Sequence, residues 1–89
     1  MFVFEENFKK GDYIISHASG DMAVYDKADD RGYMHFKYYY GGMFKELKDC
    51  KNFTLQINYQ KFYEPCNEEE KKQMDEIIKE KVANNATFF

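Results

Sequence analysis

The sequence predicts an α+β chain that is mainly β, an antiparallel sheet of five short strands with one C-terminal helix. Three observations carry this. Runs rich in aromatic and β-branched residues, Tyr13-Ile-Ile, Met22-Ala-Val-Tyr and Tyr33 to Tyr40, are separated by polar turns that contain glycine. Phe53 to Gln60 alternates apolar and polar residues with the period of a strand. After Pro65 the period changes, and Met74, Ile77, Ile78 and Val82 recur at helical spacing behind an acidic start.

The Gly11-Asp12 turn feeds the run from Tyr13, and Ser19-Gly20 returns the chain into Asp21-Met-Ala-Val-Tyr25, a hairpin signal. Asp26 to Gly32 interrupts with small and charged residues, so a loop is expected before the third strand, Tyr33 to Tyr40. Because strand side chains alternate, Met34, Phe36, Tyr38 and Tyr40 are expected inward and Tyr33, His35, Lys37 and Tyr39 outward. Gly41-Gly42 ends that strand, and Met43 to Asn52 reads as an irregular loop with room for a helical turn. Phe53, Leu55, Ile57 and Tyr59 form the core side of the next strand, and Thr54, Gln56, Asn58 and Gln60 its wet side. Lys61 to Glu64 is expected as a short last strand stopped by Pro65, which has no N–H for a ladder. Phe2 to Phe4 is free to pair at an edge.

Asn67 can cap a helix from which Glu70 reaches back, with Glu68 to Glu70 at the positive dipole end and Lys79 and Lys81 near the negative one. The helix is expected over about 67–83, docked on the sheet by its apolar stripe, with Asn84-Asn85 ending it and 84–89 left as a tail. Residues 1–83 make a single domain. Five bent strands and a helix fit an open antiparallel sheet or a small, partly open barrel of the SH3-like kind.

Length and composition narrow the function classes. At 89 residues and 10.7 kDa the chain has material for one core. Its nine Phe and eight Tyr outnumber Leu, Ile and Val together, so the core must be largely aromatic. Lys and Arg number 13 against 16 Asp and Glu, a net charge of -3, so the positive field of a nonspecific nucleic-acid binder is missing. No apolar run approaches the roughly 20 residues that cross a bilayer, and Met1-Phe-Val-Phe-Glu-Glu lacks a cationic signal-peptide start. A cytoplasmic location without membrane contact is expected.

In a reducing compartment Cys50 and Cys66 are expected to stay unpaired, and Cys-x15-Cys lacks the short spacings of a zinc site. His17 and His35, with Asp21, Asp29 and Asp30 close in sequence, read as solvated side chains rather than a metal or acid-base site. Asp26 to Gly32 misses the ligand order of a calcium loop because Ala28 holds a ligand position. Neither a nucleophile elbow nor a phosphate-binding glycine loop occurs, so no enzymatic activity, cofactor, metal or small-molecule substrate is expected.

Three segments, Phe8-Lys9-Lys10-Gly11-Asp12, Gly20-Asp21-Met22-Ala23-Val24-Tyr25, and Phe62-Tyr63 through Cys66-Asn67-Glu68-Glu69-Glu70-Lys71, carry a resemblance. In their order they resemble a group of small uncharacterised proteins of gut Bacteroidales genomes and prophages. That resemblance implies a small β domain with an acidic-start C-terminal helix and carries no activity or site; a noncatalytic, phage-derived accessory module that binds a protein is the functional expectation.

The surface singled out for binding is Tyr33, His35, Lys37 and Tyr39, extended by Lys45, Lys48 and Lys51. Interface cores favour Tyr, Phe, Met and Arg, so a protein partner or self-association through a strand edge is the leading expectation. Stacking of single-stranded nucleic acid on the same rings is the alternative.

Overall fold

The long β2–β3 hairpin is the centre of the molecule. In the computed structural model, which describes residues 5–42, 45–49 and 53–86, β1 (Tyr13–Ser16) turns through Gly20 into β2 (Asp21–Ala28) and then β3 (Tyr33–Gly41). They are followed by β4 (Glu46–Asp49), β5 (Thr54–Gln56), a 3-10 helix (Ile57–Phe62), β6 (Glu64–Pro65) and α1 (Glu68–Ala86). The sheet is antiparallel and open, in the order β4-β3-β2-β1-β6, with β5 pairing the first part of β3 beside β4. Mainly β with one C-terminal helix is thus the observed class, with six strands instead of five and without barrel closure.

Two bulges decide which side chains face which way. Val24 pairs with Tyr38, Tyr25 with Phe36, and Lys27 with His35. Lys37 is therefore an extra residue on β3, and Asp26 one on β2. Each extra residue resets the alternation of its strand and sharpens the local twist.

Both faces of the sheet are covered. On one face Ile14, Ala23, Tyr25, Met34, Phe36 and Tyr39 form a core with Phe8, against which Phe53, Leu55, Ile57 and Tyr63 pack. On the other, Ile15, Met22, Val24 and Cys66 meet Met74 of α1, with Tyr38, Tyr40, Leu47, Ile77 and Ile78 around them. That is why Tyr13-Ile-Ile and Met22-Ala-Val-Tyr run apolar without alternation: a strand buried on both sides has no wet side. The rings of the first core meet tilted or edge-on, Tyr25 to Phe36 at 6.3 Å and Phe36 to Tyr39 at 5.5 Å between centroids, the geometry that aromatic quadrupoles favour.

Several expectations need correction. Tyr38 and Tyr40 lie under the helix while Tyr39 enters the opposite core, because the bulge at Lys37 falls between Phe36 and Tyr38. Part of the presumed loop 43–52 is β4: Gly42 (φ +83) and Lys45 (φ +51) turn the chain so that Glu46–Asp49 takes the ladder positions of Tyr38–Gly41. Met43, Phe44, Cys50, Lys51 and Asn52 lie outside the described residues. The strand from Phe53 stops at Gln56, since Gln56 already pairs with Tyr33, the first residue of β3. Beyond it the Ile57 N–H goes to the Gly32 carbonyl at 2.8 Å, and the chain coils into the 3-10 helix. The last strand is Glu64–Pro65 rather than Lys61 to Glu64, on the outermost position where a proline is tolerated. The edge pairing suggested for Phe2 to Phe4 also falls outside the described residues.

The helix start is as expected. The Asn67 N–H donates to Glu70 Oε1 and the Glu70 N–H to Asn67 Oδ1, both at 2.8 Å, a reciprocal cap. The helix runs through Asn84 and Asn85 to Ala86, because asparagine disfavours a helix interior by well under 1 kcal/mol. Among the described residues no helix is long and apolar enough to cross a membrane.

Candidate functional site: exposed rings on the 3-10 helix

Tyr33, His35, Lys37 and Tyr39 do not form one surface. Tyr33, at the start of β3, is 37% exposed, whereas Tyr39 is 5% exposed on the opposite face. His35 is half-buried and its Nε2 lies 2.7 Å from Asp29 Oδ2. Lys37 is exposed at the bulge, its Nζ 5.9 Å from the centre of the Tyr38 ring. Lys45 and Lys48 sit elsewhere again, Lys45 Nζ on Ser19 O at 2.7 Å and Lys48 Nζ 5.1 Å from the Phe53 ring centre; Lys51 lies outside the described residues.

Asp29 holds this corner together. Its Oδ1 accepts the N–H groups of Arg31 and Tyr33, and the His35 bond, the largest cause, joins them in holding its carboxyl below the ordinary carboxylate range. Gly32 (φ +84) completes the turn and presents its carbonyl to Ile57.

Tyr39 serves a buried polar chain. Its hydroxyl donates to Asp21 Oδ2 at 2.9 Å, and with that proton committed it accepts from Tyr63 at 2.6 Å. Burial first, then the bond to Tyr63 and the nearby Asp21 carboxylate, push the Tyr39 phenol far above its usual ionisation. Burial raises Tyr63 as well. Both phenols stay neutral at physiological pH and act as hydrogen-bond donors, not as bases. The Cys66 thiol is free and buried, and burial pushes it up to about 11, so it is a poor nucleophile at neutral pH.

Among the described residues the two most exposed rings stand on the 3-10 helix. Tyr59 is 44% and Phe62 54% exposed, and their centroids lie 5.9 Å apart with planes at 41°. A 3-10 helix has three residues per turn, so residues three apart eclipse and these two rings stand side by side. Lys61 Nζ lies 5.3 Å from the Phe62 ring centre, within cation–π range. Gln60 anchors the helix by accepting the Asn7 N–H and donating to the Glu5 carbonyl, at 2.9 and 2.7 Å. Next to the helix start, Arg31, Gly32, Tyr33, Gln56, Ile57 and Asn58 line a hollow of about 230 Å³. Tyr33 is the one member of the sequence-derived surface that borders this region.

Sequence reasoning placed Tyr59 inward by extending the alternation of Phe53 to Ile57 past the end of β5. The overlooked signal was the i, i+3 spacing of Tyr59 and Phe62 within a polar stretch, a surface helical spacing and not a strand one.

Two larger hollows share Gly11 in their lining. One, of about 420 Å³, lies between β1 and α1 and is lined by Asp12, Tyr13, Cys66, Lys71 and Asp75 among others. There the Tyr13 hydroxyl donates to Asp75 Oδ1, and that bond, more than desolvation, pushes the phenol up to about 12. The other, of about 460 Å³, is bordered by Lys10, Val24, Tyr25 and Lys37. Among the described residues no group of three or more His, Cys, Asp or Glu is placed to hold a metal ion. No family model, curated protein or solved structure matches this chain.

Proposed function

We propose that the chain is a noncatalytic protein-binding module whose contact surface centres on Tyr59 and Phe62 and takes in Tyr33 and Arg31. The observation that carries the reading is the ring pair itself. Two large aromatic side chains stand half in water on an anchored 3-10 helix, while most of the other described rings pack in the two cores. Tyr, Phe and Arg are the residue types that interfaces concentrate at their centres. Lys61 beside Phe62, and Arg31 in the hollow at the helix start, suit a partner segment that offers apolar side chains with acidic neighbours. The motif resemblance of the two Gly-Asp segments and the acidic helix start supports a phage-derived accessory role in the cytoplasm.

Affinity capture with the tagged chain tests this. A Tyr59→Ser/Phe62→Ser double variant that keeps the wild-type circular dichroism spectrum should lose the captured partner. Retention of the same partner in undiminished amount rejects the surface. A second reading draws on the same rings with Arg31 and Lys61: stacking of unpaired bases, which the net charge of -3 disfavours. It requires salt-dependent binding of short oligonucleotides in a fluorescence-anisotropy titration.

A further inference from the structure

The hollows of the surface differ in charge. Each of the two that share Gly11 carries carboxylate, Asp12 and Asp75 in one and Asp26 in the other. The hollow of about 230 Å³ at the start of the 3-10 helix has no acid in its lining, and its polar side chains are Arg31, Tyr33, Gln56 and Asn58. Arg31 is the single arginine of a chain whose net charge is -3.

The acids nearest in sequence do not neutralise it. Asp29 takes the N–H groups of Arg31 and Tyr33 on Oδ1 and the His35 ring on Oδ2. Among the described residues no carboxylate, Asp30 included, pairs with the Arg31 guanidinium, and the Tyr33 hydroxyl and the Gln56 and Asn58 amides make no hydrogen bond. A guanidinium offers several N–H donors and each amide two more, so the hollow is rich in donors and its one charge is positive. The backbone that carries them is already fixed. Tyr33 and Gln56 are ladder partners, the Ile57 N–H meets the Gly32 carbonyl at 2.8 Å, and Asp29 ties the turn. A site on fixed backbone needs little ordering to bind.

A single negative charge suits this place. The fork of a guanidinium matches the two oxygens of a carboxylate. A phosphate monoester would bring up to about twice the charge past Asp29 and Asp30, and a nucleic-acid strand adds a charge at every nucleotide against a chain of net charge -3. The volume also falls below the roughly 300 Å³ at which small-molecule sites begin, so a protein side chain fits better than a free ligand. Asn58, in its lining, directly precedes Tyr59, so the hollow continues along the chain into the ring pair.

We propose that this hollow takes an Asp or Glu side chain of the partner segment whose apolar residues lie on Tyr59 and Phe62, with Arg31 as its bidentate donor and the Gln56 and Asn58 amides beside it. The inference rests on the ring surface of the proposed function and adds the charge and place of a second anchor. Selection from a random peptide library, displayed by its C-terminal end so that no free terminal carboxylate is present, tests it on the full chain. Selected peptides should carry Asp or Glu close to an aromatic residue or Leu. In fluorescence-anisotropy titrations of one such peptide, Arg31→Gln should weaken binding about tenfold, as for a lost hydrogen bond to a charged group. Changing the peptide's acid to its amide should weaken binding as much, and the two losses should not add, because both remove the same pair. Arg31 is exposed, so the variant should keep the wild-type circular dichroism spectrum. Peptides that need Tyr59 and Phe62 but carry no acid, or an acidic peptide indifferent to Arg31→Gln, overturn the inference and leave the ring surface standing. If no peptide loses binding in the Tyr59→Ser/Phe62→Ser variant, the ring surface and the inference fall together. A short oligonucleotide held through Arg31 where no acidic peptide binds overturns the inference in favour of base stacking.

Discussion

Tyr25 and Phe36 face each other across β2 and β3 one step out of register with the pairs on either side of them. Val24–Tyr38 precedes this pair and Lys27–His35 follows it, so a bulge at Lys37 is answered by a bulge at Asp26. The two offsets cancel, and beyond them the hairpin runs in its original register. Between them two rings meet edge-on in the core while Asp26 and Lys37 take up the extra backbone. Deletion of Lys37 removes one offset and leaves the other. Either Tyr38 to Tyr40 exchange faces or the start of β3 does, and urea unfolding followed by circular dichroism should lose its cooperative transition. Lys37→Ala keeps the backbone count and should change stability by under about 0.5 kcal/mol, as for an exposed surface side chain.

Gly41 is short of room. A Cβ there would meet the Asp21 carboxylate well inside contact distance, and that carboxylate is fixed by the Tyr39 hydroxyl and the Lys45 ammonium. Gly41→Ala should destabilise by about 1–3 kcal/mol, the range for overpacking a tight site. The midpoint of urea denaturation reads it, and Asp21→Ala in the same background should recover part of the overpacking loss.

Tyr39→Phe keeps the ring in its core and removes the link between Asp21 and Tyr63. Two half-buried polar groups then lose a partner, and the expected loss is about 1–3 kcal/mol. Tyr38→Phe, on the helix face, breaks no hydrogen bond of that chain and serves as the matched control in thermal melts.

The helix start is bracketed in pH. His17 sits between Glu70 (Nε2 to Oε2, 2.9 Å) and Glu64 (Nδ1 to Oε2, 3.3 Å). The Glu70 bond, chiefly, raises the His17 pKa above its ordinary 6.5; the Asn67 N–H, chiefly, lowers that of Glu70 below its ordinary 4.5. A raised histidine stabilises the fold below its unfolded pKa, and that gain is lost as pH rises through its folded value. A lowered carboxylate stabilises above its unfolded pKa and loses that gain as pH falls through its folded value. The joint contribution is therefore complete between about pH 4.5 and 6.5 and declines on both sides. Urea midpoints measured from below pH 4.5 to well above pH 6.5 should show His17→Gln flattening the alkaline limb and keeping most of the acid limb, which the Asn67 N–H chiefly sets. An unchanged alkaline limb in the variant would contradict the pairing.

Much of the architecture was legible in the chain for identifiable reasons. Asn67 and Glu70 specify a cap that needs no tertiary help, and Met74, Ile77 and Ile78 mark a face that only a sheet could cover. The turns at Gly20 and Gly32 are local chemistry too. The bulges were not legible, because Asp26 and Lys37 look like ordinary wet positions of a strand, and only the partner strand reveals an extra residue. One unseen bulge was enough to move Tyr39 from the surface to a buried hydrogen-bond chain. Likewise the alternation after Phe53 gave no sign of where β3 runs out of residues to pair, and that end point turns Tyr59 and Phe62 outward.

Photochemically induced nuclear polarisation with a flavin dye, which marks tyrosines that the dye can reach, tests the central claim most directly. Tyr59 should be strongly polarised and Tyr25 and Tyr39 dark, and an added partner should extinguish the Tyr59 signal. A polarised Tyr39 beside a dark Tyr59 would contradict both the bulged register and the surface built on it.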